Sequence, residues 1–357
     1  MTDLEKLERR RGAVDRSHPP FNVNAHPRRV VQRFRRFLDD HPITVLDIGA
    51  RGGIPAELDA LRAHLNVIAM EPHAQEARRL EARLGGLGLR SSTVIPEAAG
   101  PEGGAFTLHV TRDPGRSSLL EPNAEVIARY GEARDYQVVE KVPVRTAALG
   151  PLLESRAPAP LDLLKLDVQG FELEVLKTLT AVQLQRLLLL VVEVEFVELY
   201  RGQPLFRDID RHLSAQGFEL FHLSRVFTNY GAGRWVPYGR GQLQFADAYY
   251  LRTRVEHLDA GALARLIVLA HHYGFADYAS HLGAQHAGVL AALPGQAGES
   301  FRRTIAAEVA RANATRRVGR ALAGQARRVL NKLLYHALTW RRWNGRDGDN
   351  DLDYPVR

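Results

Sequence analysis

The chain has 357 residues, 45% of them hydrophobic, which suits two domains or one large domain with an extension, built on a real core. It has no cysteine, which excludes disulfides, thiolate metal sites and cysteine nucleophiles. The formal charge of +7 is almost all arginine, with five lysines, and reads as compositional bias rather than a nucleic-acid signal; where the charge sits matters more than its sum.

Residues 1–25 are charged and aperiodic, and His18-Pro19-Pro20 breaks any helix, so they read as an arm. Over residues 27–38, Val30, Val31, Phe34, Phe37 and Leu38 recur at helical spacing between arginines, which predicts a short amphipathic helix. Strand and helix then alternate, with strands at 43–48, 66–70, 92–95 and 105–110 and helices at 54–65 and 74–84. Such alternation implies right-handed βαβ units and a parallel sheet. Residues 111–145 are polar and turn-rich before a strand at 138–144. Strands at 161–168, 187–196, 218–223 and 248–252, with helices at 171–179 and 205–216, complete the sheet. The expected fold class is α/β, a doubly wound, mostly parallel Rossmann-like sheet over residues 41–253, preceded by the arm and helix of residues 1–40. An all-helical C-terminal extension follows at 254–357, with helices at 257–273 and 278–293, a long basic helix at about 299–343 and a loose acidic tail. No apolar run reaches the roughly 18 residues of a membrane span. The polar, charged N-terminus predicts a cytoplasmic protein.

The first strand runs into Asp47-Ile48-Gly49-Ala50-Arg51-Gly52-Gly53, an acid followed by a glycine turn. Glycines let a backbone approach a ligand closely, and ligands of open α/β sheets bind at the carboxyl ends of the strands. A buried acid at Asp47 needs a partner, and the amino group of a methionine moiety would serve. Glu71, followed by Pro72, ends the second strand 22 residues after Gly49, where a carboxylate accepts hydrogen bonds from ribose hydroxyls. Glu97 and Ala98 follow the third strand, where an adenine would sit. A nicotinamide dinucleotide, and with it an NAD(P)-dependent oxidoreductase, is the rival reading. It asks for G-x-G-x-x-G and a pyrophosphate, which Asp47 would repel.

The second informative stretch is Leu164-Lys165-Leu166-Asp167-Val168-Gln169-Gly170-Phe171-Glu172. Lys165 and Asp167 share one strand face, and Glu193 and Glu195 repeat that spacing on the next apolar strand. Their convergence at the sheet's carboxyl end would perturb their proton affinities and hold a base ready, with Asp167 or Glu193 as the candidates; an ion-pair network gives the same pattern. A divalent cation held by Asp167, Glu193 and Glu195 is the less favoured alternative. Ser117 and Ser118 lie in the connection above, placed either to touch an acceptor or to cap a turn.

Four stretches together resemble the FkbM-type methyltransferases, a branch of the class I S-adenosylmethionine-dependent enzymes. They are Val45-Leu46-Asp47-Ile48-Gly49-Ala50, Gly115-Arg116-Ser117-Ser118-Leu119, residues 164–172 and Asp247-Ala248-Tyr249-Tyr250-Leu251. The third is the most specific, and in it Gln169 stands where glutamate is usual. The resemblance implies a Rossmann-like methyltransferase sheet and S-adenosyl-L-methionine held around Asp47, Gly49, Glu71 and Glu97, with Ala50, Arg51 and Gly53 in the same loop. It places Asp167 near the reacting centre. It implies methyl transfer to a hydroxyl of a sugar, a glycan of the surface-polysaccharide kind, or a natural product. The basic helix, with Arg302, Arg303, Arg311, Arg316 and Arg317 among its charges, fits either peripheral contact with the inner face of a membrane or packing against the sheet or a second subunit. A nucleic-acid-binding module fits poorly, because a phosphate grip does not require the strand-end acids.

Overall fold

The computed structural model describes residues 27–50, 53–103, 105–156, 160–231 and 241–321. The expected arm, Arg51 and Gly52 of the glycine turn, the later part of the basic helix and the tail lie outside the described residues. In chain order the elements begin with α1 (Pro27–Asp40), β1 (Ile43–Ile48), β2 (Leu65–Met70), α2 (Ala74–Gly85), β3 (Ser91–Ile95), β4 (Ala98–Ala99) and β5 (Ala105–Thr111). Next come α3 (Ala124–Ile127), β6 (Val138–Ala147), α4 (Leu149–Arg156), β7 (Leu163–Leu166), α5 (Glu172–Leu176), α6 (Ala181–Arg186) and β8 (Leu189–Glu195). The chain continues through α7 (Phe206–Ala215), β9 (Phe218–Thr228), β10 (Gln242–Arg252), α8 (Ala260–His272), α9 (Ala276–Gln285), α10 (Ala287–Leu290) and α11 (Gly295–Ala321).

Seven strands form the central sheet in the order β3-β2-β1-β7-β8-β10-β9. The first five are parallel, and β10 runs antiparallel to both β8 and β9. The order reverses at β1/β7, which opens a crevice at the carboxyl ends of those two strands. The expected doubly wound, mostly parallel α/β fold is therefore present. β5 and β6 leave the parallel series and pair antiparallel with each other, in a small sheet of order β4-β6-β5.

The segment expected as a helix at 54–65 is instead two 3-10 turns, Ala56–Leu58 and Arg62–His64, and Leu65 already belongs to β2. The buried side chains Leu58, Leu61 and His64 are three apart, which matches three residues per turn better than 3.6.

Period-2 alternation sends successive strand residues to opposite faces, and the core divides accordingly. Ile43, Val45, Leu163, Leu189, Val191, Tyr249 and Leu251 pack on one face with α1 and α8. Leu46, Ile48, Leu164, Leu166, Leu190 and Val192 pack on the other with α4–α7. The helical extension belongs to the first of these cores. Leu263, Leu266 and Ile267 of α8, and Phe301 and Ile305 of α11, share it with Phe34 and Phe37 of α1. A buried ion pair fastens α8 to the sheet: Arg265 Nε donates to Asp162 Oδ1 at 2.8 Å, while Asp162 Oδ2 accepts from the Thr44 N–H at 2.9 Å. Among the described residues no helix is long and apolar enough to cross a membrane.

Candidate active site

On the first face the strand pattern changes character toward the carboxyl ends. Val45 gives way to Asp47, Leu163 to Lys165, Val191 to Glu193 and Glu195, and Tyr249, read backwards along its antiparallel strand, to Asp247. Asp47 is the register partner of Lys165, and Glu193 that of Asp247. One alternation thus builds the apolar floor and the charged rim above it.

Asp47 is 1% exposed, and among the described residues no group donates a hydrogen bond to either of its carboxylate oxygens. Lys165 Nζ lies 4.0 Å from Asp47 Oδ1 and 3.7 Å from Asp167 Oδ2. Burial raises the Asp47 carboxyl to about 6, against the attraction of Lys165. Burial alone would lower the proton affinity of Lys165, but Asp167, Asp47, Asp247 and Glu193 outweigh it and hold the group as a cation above the ordinary lysine range. Lys165 is thus a fixed positive charge and not a proton acceptor.

The glycine turn closes tightly on the neighbouring strand end. Gly49 has φ +83°, and a Cβ there would stand 2.0 Å from the Asp167 carbonyl oxygen. The Asp167 N–H donates to the Ile48 carbonyl at 3.1 Å, and Gly53, at φ +91°, donates to Ala50 at 2.8 Å. The turn and Asp167 are therefore one unit, and only glycine fits at position 49. Glu71 is buried at the end of β2, where it accepts from the His73 N–H at 2.9 Å, with Pro72 half-buried beside it. Glu97 is half-buried, and Ala98 is buried in β4 beside β6.

Asp167, Glu193 and Glu195 come together, as their spacing predicts, and the groups that join them come from further away. Gln169 has φ +59°, a left-handed backbone rare outside glycine, and four contacts fix it. Its carboxamide nitrogen donates to Asp167 Oδ1 at 2.9 Å and to Glu193 Oε2. Its carboxamide oxygen faces the Tyr200 hydroxyl at 2.8 Å, and its carbonyl accepts from Ser118 Oγ at 2.7 Å. Tyr200 also lies 2.9 Å from the Arg116 carbonyl, and the Arg116 guanidinium stacks 4.5 Å above the Tyr136 ring. Ser117 and Ser118 hold turns: Ser117 Oγ accepts from the Thr111 N–H, and Ser118 Oγ accepts from Leu120 while donating to Gln169. Their hydrogen bonds fit turn capping, the second of the two expectations.

Glu172, unassigned by the sequence although it sits in the most specific motif, accepts from the N–H groups of Val168 and Gly170 and so shapes the strand-to-helix turn. Its carboxyl rises to about 7, chiefly through burial. Burial also raises Glu193 and Glu195 well above the carboxylate range, reinforced at Glu193 by Asp167 and Glu195 and at Glu195 by Glu172 and Asp167. A carboxyl pushed upward in this way gives a less ready proton acceptor, which weighs against Glu193 of the two expected candidates. The Asp167 side chain is 36% exposed, against 9% for Glu193 as a whole residue. Tyr273, at the end of α8, brings a buried hydroxyl that has no hydrogen-bond partner among the described residues, in the field of Glu57, Tyr249 and Asp47. Tyr200 and Tyr273 lie far along the chain from the groups they face, so no local pattern announces them.

This sheet order, with an acid and a glycine turn at its switch point and an acid at the end of the adjacent strand, defines a class I S-adenosylmethionine-dependent methyltransferase fold. Residues 47–220 match the family model described as the methyltransferase FkbM domain, the family that the four sequence stretches resemble. No curated protein matches the chain. Solved structures it is similar to include the precorrin-6y C5,15-methyltransferase of Geobacter metallireducens (11% identity, 61% of this chain and 88% of that one, TM-score 0.32). Others are the magnesium protoporphyrin IX methyltransferase of Synechocystis PCC 6803 with bound S-adenosylmethionine (11%, 64% and 80%, 0.32) and TrmK of M. capricolum with S-adenosyl-homocysteine (9%, 76% and 96%, 0.33).

Proposed function

We propose that the protein transfers a methyl group from S-adenosyl-L-methionine to a hydroxyl oxygen of a sugar or glycan, with Asp167 as the base. The observation that carries this reading is the placement of Asp167. It is the half-buried carboxylate beside the more deeply buried Glu193 and Glu195, hydrogen-bonded through its backbone to β1 and in contact with Gly49 of the cofactor turn.

The residues present fit the cofactor. Asp47 offers two buried oxygens that lack hydrogen-bond donors among the described residues, which suits a cationic amino group, and Gly49 puts no side chain against the Asp167 carbonyl. Glu71 would accept from the ribose, and Glu97 with Ala98 would flank the adenine. The bound sulfonium supplies an electrophilic methyl group. The 3-10 turn that follows Gly53 lacks the α-helical N-terminus on which a pyrophosphate rests, which favours this cofactor over a nicotinamide dinucleotide.

The chain's own residues then have three tasks. Asp167 accepts the acceptor's hydroxyl proton as the new O–C bond forms. Gln169 holds that carboxylate in place through its N–H, and Lys165 Nζ lies 3.7 Å from its Oδ2. The walls built from the 111–137 connection and Tyr200 orient the acceptor, and orientation supplies much of the rate. The glycan class is supported by the FkbM assignment and by a rim rich in carboxylates, which accept hydrogen bonds from sugar hydroxyls.

The test is incubation with methyl-labelled cofactor and a panel of sugars and glycans, using wild type and Asp167→Asn. Wild type should label a hydroxyl, and the variant should turn over about 10²–10⁴-fold more slowly while binding S-adenosylhomocysteine normally. Near-normal turnover of the variant would remove Asp167 as the base, and labelling of a nitrogen would overturn the oxygen assignment.

A further inference from the structure

Glu172, Glu193 and Glu195 each place a carboxylate oxygen so that the three atoms lie within 4.8 Å of one another. A hard divalent cation bound at about 2.1–2.4 Å requires ligand oxygens no more than roughly 4.2–4.8 Å apart, so the three reach around one ion of that kind, with the upper end suiting calcium or manganese better than the smaller magnesium.

A cluster of acids alone would mean little, but a second feature points inward. Glu195 is 1% exposed, and among the described residues its Oε2 accepts no hydrogen bond. A buried carboxylate oxygen without a donor is costly, and the groups around it do not relieve the cost. Lys165 is committed to Asp47 and Asp167. Gln169 spends its N–H groups on Asp167 and Glu193. Glu172 is held by two backbone N–H groups, which fixes its position before any ligand arrives. Glu193 stands directly across from Asp247, so a further acid borders the site.

We propose that Glu172, Glu193 and Glu195 form a binding site for one hard divalent cation, of the size of calcium or manganese, on the acceptor side of the crevice. The ion satisfies Glu195 Oε2 and offsets the negative charge gathered at the ends of β7 and β8. Its further role rests on the methyl-transfer reading: beside Asp167, it is placed to draw an acceptor's oxygen atoms into the crevice and make a hydroxyl proton easier to remove.

The experiment is calorimetric titration of the chelator-treated full chain with manganese chloride, calcium chloride and magnesium chloride, with manganese binding read independently by electron paramagnetic resonance. One ion per chain is expected. Glu195→Gln should weaken it by about 10-fold or more. That variant removes no hydrogen bond at Oε2, so its fold should survive, and a thermal melt without metal checks this. If Glu195→Gln does not fold, Glu193→Gln, expected to weaken manganese just as much, takes its place. Absence of binding by wild type up to about 1 mM of all three ions would overturn the site, as would unchanged manganese affinity in the variant. S-adenosylhomocysteine is titrated in the same samples. Its binding without metal binding refutes only the cation site, whereas metal binding without it refutes the methyl-transfer reading and leaves the site standing.

Discussion

Asp47 shows how one residue trades stability for a site. Burial pushes its carboxyl up to about 6 from the ordinary 3.8, so it opposes folding in its ionised form. The sign follows from linkage: stability is fully present below the unfolded value and is lost as pH rises through about 6. Two units correspond to about 3 kcal/mol, all of it incurred at pH 7 and above. Asp47→Asn should therefore stabilise the ligand-free protein by up to that amount at pH 7.5 and by little at pH 4, measured by denaturant unfolding, while S-adenosylmethionine affinity falls. Equal stability of the two proteins at pH 7.5 would refute the assignment. Gly49→Ala is the opposite case, since its Cβ would collide with the Asp167 carbonyl in a backbone conformation that disfavours alanine. It should lose cofactor binding and lower the melting temperature. Asp47, Gly49, Asp167 and the two strand glutamates were readable because each sits in a local pattern of strand, acid and turn. The roles of Gln169 and Tyr200 were not, because a left-handed glutamine and a tyrosine 31 residues away meet only in the folded chain.

Among the elements, α8 spans Ala260–His272, within the helix expected over residues 257–273, and its burial against the sheet is what the periodicity does not state. It ends in His272, which is 1% exposed, with Nε2 2.8 Å from the Glu57 carbonyl of the first 3-10 turn. Burial depresses this imidazole to about 4, so its contribution is present above the ordinary 6.5 and is lost as pH falls through about 4. The full loss is about 3 kcal/mol, in the opposite direction from Asp47 over much of the same range. His272→Gln keeps a donor for Glu57 and should flatten the acid limb of the stability profile between pH 6.5 and 4 relative to wild type. A parallel loss in both proteins would show that another group controls it. The contact between α9 and α11 is equally specific: a Cβ on Gly283 would stand 2.3 Å from Ile305 Cγ2. Helical periodicity located both helices, but it cannot report that one backbone must approach the other so closely. The same limit explains the segment after Gly53, where apolar residues at helical spacing are also spaced for 3-10 turns, and the early start of β2 decides between them.

For the whole molecule, the sheet class was legible because its five parallel strands are short apolar runs closed by acids and glycines. The union of α1 and α11 into one wall was not, since it depends on contacts between residues more than 200 positions apart. Phe301 sits 5.3 Å from Phe34 and 4.8 Å from Phe37, ring centre to ring centre, and is 1% exposed, with Ile305 buried beside it. The first three turns of α11 are thus core of the same face that carries Asp47 and Lys165, and they support α1 against the sheet. Removing residues 299–357 deletes both side chains. Losing one large core side chain costs about 2–5 kcal/mol, and a protein has about 5–15 kcal/mol in total, so this truncation should melt far lower or fail to fold. Removing only residues 322–357 keeps every core residue described above, so the cofactor-induced rise in melting temperature should persist. The contrast also decides how membrane contact through the basic helix is tested. Vesicle binding lost in the shorter deletion, with cofactor stabilisation intact, assigns that contact to residues 322–357, whereas the longer deletion would lose binding through unfolding alone. Equal melting temperatures for the two truncations would refute the place of Phe301 and Ile305 in the core.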